Sequence, residues 1–222
     1  MAEVYPHPKM NARQWVANFW YHYRWQFLFG VVAVTFILIA TVQFFRQKEP
    51  DAVFLYVGPQ AVSDRTCKEI VGSAKGKFTR DYDGNGYKGA DINTIQLDGD
   101  LEGLSPHKKA EADKRLRQYT DEILSGDSCF LLLTPALYEK LDEEGALVSI
   151  YEIYGAWRDV DVLLCGIPLS DIPLGKCAGF SDLPRDTILC LKYAGTVNGA
   201  LSEDEIEARN ARNAEIFRDL CD

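Results

Sequence analysis

Histidine is scarce in this chain, three residues in all, and its six cysteines include no C-x-x-C pair. His7 and His22 both precede the apolar run described below, so no structural zinc centre can be assembled by spacing. Also missing are G-x-S-x-G and H-E-x-x-H, which removes the nucleophile elbow of the serine hydrolases and the zinc helix of the metalloproteases. Two stretches come close to a catalytic motif and fail. Gly72-Ser73-Ala74-Lys75-Gly76-Lys77 is one residue short of a phosphate loop and is followed by Phe78 where a Ser or Thr must meet magnesium. Ser105-Pro106-His107-Lys108 satisfies S-x-x-K, yet the companion S-D-N and K-T-G motifs are absent and Ser105 is already accounted for as a helix cap. Acid pairs such as Glu143-Glu144 and Glu203-Asp204 adjoin turns or helix starts, where they read as solvated or dipole-favoured charges. Without an enzymatic signature, the expectation is a non-enzymatic protein that needs no cofactor.

Charge is absent from residues 25–45, a run closed by Arg24 and Arg46. At about 1.5 Å per residue such a helix covers roughly 30 Å, the hydrocarbon thickness of a bilayer. A cleaved signal peptide would have a shorter apolar core and small residues at its exit, whereas this run leaves through Gln43-Phe44-Phe45-Arg46. Residues 25–45 are therefore expected to be a retained transmembrane helix and single-pass signal anchor. Trp15, Phe19, Trp20, Tyr21 and Tyr23 precede it, with rings suited to the headgroup layer. Val16, Phe19, Trp20, Tyr23 and Phe27 recur at helical spacing, which predicts an interfacial helix over residues 12–24 continuous with the span. Lys9, Arg13 and Arg24 outnumber Arg46 and Lys48 across the membrane by one. That bias predicts a cytoplasmic N-terminal segment (1–24), a short linker (46–51) and an extracytoplasmic domain (52–222) at the cell membrane.

The domain is acidic. Residues 1–49 hold five Lys or Arg against two Asp or Glu, and the remainder 19 against 31. Neutralising phosphates needs clustered positive charge, so nucleic acid is excluded as a partner. From residue 52 short apolar runs alternate with helical patterns, the signature of a single α/β domain with a mixed sheet. Strands are expected at 52–57, 90–97, 129–133, 160–167 and 187–193. Helices are expected after Ser63 to about Ser73, from Pro106 to Gly126, from Pro135 to Leu141, and from the capping box Ser202/Glu205 to Leu220. Residues 168–184 read as a long loop.

One stretch resembles a metal loop. Asp81-x-Asp83-x-Asn85-Gly86 supplies oxygen donors at positions 1, 3 and 5 and glycine at 6 of a calcium loop. Position 12 is Ile92, and the nearest acid, Asp91, comes one place early. The turn reads as an Asp/Asn/Gly connection into a strand, with a weak calcium site on Asp81, Asp83, Asn85 and Asp91 as the alternative. Cys129 and Cys190 fall in apolar strands as buried thiols. Cys165 and Cys177 flank a proline-containing loop and are the disulfide candidate for an exported domain.

The segments Phe19-Trp20-Tyr21-His22-Tyr23-Arg24-Trp25, Tyr56-Val57-Gly58-Pro59, Asp81-Tyr82-Asp83-Gly84-Asn85-Gly86 and Ser125-Gly126-Asp127 before Cys129-Phe130-Leu131-Leu132-Leu133 occur in order along the chain. In this the chain resembles a group of uncharacterised bacterial single-pass membrane proteins whose extracytoplasmic domains are similar to part of the extracellular solute-binding proteins. The resemblance implies one lobe, or a reduced form, of that fold, and it transfers no ligand-binding residues. The function expected is an anchored extracytoplasmic module that binds a ligand or a partner protein, held in the bilayer by residues 25–45. A structural subunit of a larger membrane complex is the alternative, and a hydrolytic enzyme a distant third.

Overall fold

A computed structural model describes residues 11–46, 48–97, 106–125, 128–155, 163–194 and 202–222. The chain divides into two units, Met1–Lys48 and Glu49–Asp222. In the first, α1 (Ala12–Arg46) is one helix of 35 residues, about 52 Å long at 1.5 Å per residue. Its portion Ala12–Gln43 is long and apolar enough to cross a membrane. The helix runs on through the aromatic segment, where Trp15, Phe19 and Tyr23 stack one turn apart with ring centroids 5.7 and 5.4 Å apart. Inside the apolar stretch the hydroxyls of Thr35 and Thr41 donate to Val31 O and Ile37 O, each at 2.8 Å. They therefore present no unsatisfied group to an apolar medium.

The second unit is built on a mixed five-stranded sheet in the order β2-β1-β3-β5-β4. The strands are β1 (Ala52–Gly58), β2 (Ala90–Gln96), β3 (Phe130–Leu133), β4 (Gly166–Pro168) and β5 (Ile188–Leu191). β1 pairs parallel with β2 and β3, while β5 runs antiparallel to both β3 and β4. Parallel pairing requires crossovers, and α2 (Asp64–Lys77) and α3 (Pro106–Ser125) supply them. Ser63 caps α2, its Oγ accepting from Thr66 N at 3.2 Å. The helix runs past its expected end at Ser73 to Lys77, with Lys75 and Lys77 suited to its carboxyl end.

Side chains alternate across the sheet and pack into a core on each face. Phe54, Tyr56, Phe130, Leu132, Leu189 and Leu191 point to one side, where α2, α5 (Ile150–Tyr154) and α6 (Glu203–Cys221) cover them. Leu55, Val57, Leu131, Leu133, Ile188 and Cys190 point to the other, against Tyr119 of α3 and Tyr138 and Leu141 of α4 (Pro135–Glu143). This burial on both faces is why β3 reads as an unbroken apolar run.

Three expectations need correction. The strand expected at 160–167 is described only as the three residues of β4, its first part (160–162) lying outside the described residues. The segment 168–184 is ordered as three short 3-10 turns, and Leu169, Ile172, Leu174, Phe180 and Leu183 drop from it into the core. At its tip Gly179 has φ +82°, and a Cβ there would stand 2.5 Å from Ile70 N, so α2 can approach only a glycine. The unexpected helix α5 is capped by the Ser149 side chain and ends at Gly155 in the left-handed region. Finally, the domain begins before Ala52, since Asp51 is already buried within it. Ser105 and Gly126, expected to bound α3, lie outside the described residues.

Candidate functional site

The helices α2 and α3 lie on opposite faces of the sheet, which makes the carboxyl ends of β1 and β3 the usual place for a ligand in such a fold. A crevice near the carboxyl end of β2 holds about 210 Å³, with Gln60, Gln96 and Arg115 in its lining. Two of its polar side chains are already engaged: Arg115 donates to Gln96 O and Oε1 at 3.2 Å and pairs with Glu111 at 2.7 Å, and Gln96 Nε2 donates to Pro59 O at 2.9 Å. A larger groove of about 890 Å³ lies at the opposite, amino ends of the strands. Asp51 and Cys129, which precede β1 and β3, lie on it, as does Asp91 of β2. One wall is the turn before β2 and the other is α6.

The acidic wall is built around Asp51. This carboxylate is 4% exposed. One oxygen accepts from Tyr82 N at 2.9 Å and Asp83 N at 3.2 Å, and the other from Gly89 N at 2.9 Å. Asp81 in turn accepts from Gly84 N at 3.0 Å and Gly86 N at 2.6 Å, while Asp83 accepts from Asn85 N and Nδ2. These bonds wind the turn so tightly that an oxygen from each of Asp51, Asp81 and Asp83 falls within 4.8 Å of the others. Asp83 is pushed above its ordinary pKa by burial, by its hydrogen bond to Asp81 and by the charges of Asp51 and Asp81. Partial burial acts upward on Asp81 too, yet the N–H groups of Gly86 and Gly84 hold it below the usual carboxylate range.

The calcium loop read from the sequence is thus rearranged. Asp81 and Asp83 do come together, and the Asn85 Oδ1 beside them is buried without a hydrogen-bond partner. Asp91 does not join them: its Oδ1 turns to Ile92 N at 2.8 Å, and the residue is exposed at the groove's edge. The third carboxylate is Asp51, some thirty positions upstream, where no local spacing rule would have sought it.

The opposite wall is a single stripe of α6. Glu205, Ala208, Arg209, Arg212 and Asn213 recur at intervals of three and four and face the groove together. The same stripe continues through Ile216, Phe217 and Leu220 into the core. Asn213 is 3% exposed, and its Nδ2 has no hydrogen-bond partner. The amide favours the ionised form of the neighbouring Cys129 thiol. Arg212 Nε is likewise buried and without an acceptor. Cys129 itself is pushed up by burial, against the pull of Arg209, Lys192, Asn213 and Arg212.

A second set of bonds fixes the turn to the helix. Asp219 of α6 accepts from Thr79 N at 3.0 Å, from Thr79 Oγ1 at 2.7 Å and from the Tyr82 hydroxyl. Arg80 pairs with Glu215 beside it. Partial burial raises Asp219, but the Tyr82 and Thr79 bonds and the Arg80 charge outweigh it and leave the carboxyl below its ordinary range. A depressed folded pKa contributes stability that is complete above the unfolded value of about 3.9 and disappears as pH falls through the folded one. Asp219→Asn is therefore expected to cost about 1 to 2 kcal/mol at pH 7. The gap from wild type should close in urea titrations carried below pH 4, and a gap that persists at pH 2 would contradict this account.

The two cysteines expected to pair are apart. Cys165 is buried on the α3/α4 face, its thiol pushed up to about 12 by burial and by Asp142. Cys177 packs against the core on the other face, with Sγ 3.6 Å from Pro173 O. The sheet separates them, so both remain thiols. Comparison of the chain with protein-family models, with curated proteins and with solved structures gives no match.

Proposed function

We propose that this chain is a membrane-anchored, non-enzymatic module whose domain lies outside the cytoplasm and binds a ligand or partner, a reduced relative of one solute-receptor lobe. The observation that carries this reading is the groove between the acidic turn and α6. It is open and charged on two walls, and it holds buried donors with nothing to donate to. Among the described residues its lining includes no histidine, and the one thiol there, Cys129, is made less acidic by burial. Both facts favour binding over nucleophilic chemistry.

A structural subunit of a membrane complex is the second reading, favoured by the aromatic stripe of α1. Trp20 and Phe27, with centroids 6.2 Å apart, add to the stacked Trp15, Phe19 and Tyr23 and would suit packing against another helix. One pair of experiments separates the readings. A C-terminal reporter active only outside the cytoplasm is expected to give signal, and signal confined to a cytoplasm-active reporter would reverse the topology. Replacing residues 25–45 by an unrelated apolar helix is expected to leave the domain's fold and the chain's cross-linking pattern unchanged. Loss of a specific oligomer on replacement would promote the subunit reading.

A further inference from the structure

We propose that the groove seats a small zwitterion, its phosphate or carboxylate on Arg209, Arg212 and Asn213 and its ammonium against Asp51 and Asp83. The assignment rests on reading the domain as a binding module and supplies the chemistry of its ligand. The donors are the first support. Asn213 is more than nine-tenths buried with a free Nδ2, and the Arg212 Nε beside it is buried without an acceptor. Neither Arg209 nor Arg212 forms an ion pair among the described residues. A buried donor left unmade is costly, and a planar guanidinium is shaped for a carboxylate or phosphate. The α6 wall is thus complete only when an anionic acceptor arrives.

The acidic wall decides against a simple anion. Three carboxylates converge within 4.8 Å on the turn, and two of them, Asp51 and Asp83, line the groove facing the arginines. Among the described residues the ion pair that links the turn to α6, Arg80 with Glu215, involves neither the groove's arginines nor its carboxylates. An inorganic anion would satisfy α6 and meet repulsion from the turn. A lone cation would relieve the turn and leave Asn213 and Arg212 as they are. One molecule with both charges satisfies both walls, and the groove volume of about 890 Å³ accommodates it.

Such a molecule could be a free metabolite or a phospholipid headgroup. Glu49 and Pro50 lie on the groove, and in the sequence only Gln47 and Lys48 separate Glu49 from Arg46, the last residue of α1.

The test uses the full-length protein in non-ionic detergent, titrated with phosphoethanolamine, inorganic phosphate, ethylammonium and calcium, with thermal shift and calorimetry as readouts. Phosphoethanolamine is expected to bind at least tenfold more tightly than phosphate or ethylammonium. Arg212→Gln should weaken it at least tenfold, and Asp83→Asn should reduce it to the affinity of phosphate. Equal affinity for phosphate and phosphoethanolamine would overturn the proposal in favour of an anion site. Calcium binding lost in Asp83→Asn, without a zwitterion preference, would overturn it in favour of a cation site, and no response to any of the four would also sink it. The wild-type comparison stands even if a variant fails to fold. Nanodiscs of phosphatidylglycerol with and without phosphatidylethanolamine identify the source: competition by the lipid assigns the headgroup, unchanged affinity assigns the free metabolite, and either requires the zwitterion site. A reporter result placing the domain in the cytoplasm would remove the exported-module reading and leave this chemistry intact. Binding of a different ligand class would do the reverse.

Discussion

Asp51→Ala is expected to destabilise the domain by about 3 kcal/mol and to unwind the turn from Asp81 to Gly89. The substitution removes an almost wholly buried acceptor that serves three backbone N–H groups. A buried donor left without a partner costs about 1 to 3 kcal/mol. The total falls short of three full penalties, because Tyr82 and Asp83 share one oxygen and lie where water can partly replace it. Gly89 is buried and has no such recourse. Asp51→Asn should cost about half as much, since Oδ1 keeps its two donors while the new amide group faces the Gly89 N–H. Urea unfolding of the full-length protein in detergent, followed by far-ultraviolet circular dichroism, measures both. A change under about 0.5 kcal/mol for the alanine variant would show that the turn is held by Asp219 and Arg80 alone.

Phe54→Ala should be costlier still, about 4 kcal/mol. Phe54 is fully buried at the centre of β1, with its ring 5.4 Å from Phe130 of β3 and 6.0 Å from Phe180 of the 3-10 segment. Truncation opens a cavity where the sheet meets the 168–184 segment, and neither a short central strand nor a turn anchored by Gly179 can collapse to fill it. The neighbouring Val53 points to the other side and is half-buried on the groove. Val53→Ala is expected to cost about 1 kcal/mol or less. The contrast between adjacent positions, read from the same urea titrations, tests whether the two faces of β1 carry unequal loads. Equal losses would contradict the packing described here.

Much of this domain is legible one segment at a time. The apolar run of β3, the Ser63 cap and the Ser202/Glu205 capping box each announce an element through neighbours in the chain. The acidic turn was likewise visible as Asp81-x-Asp83-x-Asn85-Gly86, though its carboxylates bond first to backbone N–H groups of the turn itself. The α6 wall left a signal that could have been followed. Its core stripe, from Ile216 to Leu220, becomes polar at Asn213, Arg212 and Arg209 when continued toward the amino end. Polar residues on a core-facing stripe mark a place where the helix leaves the core and meets something else. The helix α5 and the ordered 168–184 segment were not legible, because five residues carry too little periodicity and 3-10 turns show no fixed apolar spacing.

By itself the sequence determined the charge-free run at 25–45 within a helix, the acidic α/β domain that follows it and the identity of most elements. These follow from interactions within a few residues of chain: helical and strand periodicity, caps, and the cost of placing charge in an apolar medium. Only the tertiary structure decided that Asp51 joins Asp81 and Asp83, that Asp91 stays outside, that the sheet parts Cys165 from Cys177, and that α6 lays its arginines across from the turn. Each of these depends on strand order. That order is set by the joint burial of both faces of the sheet, a sum over the whole domain to which no local pattern of residues corresponds.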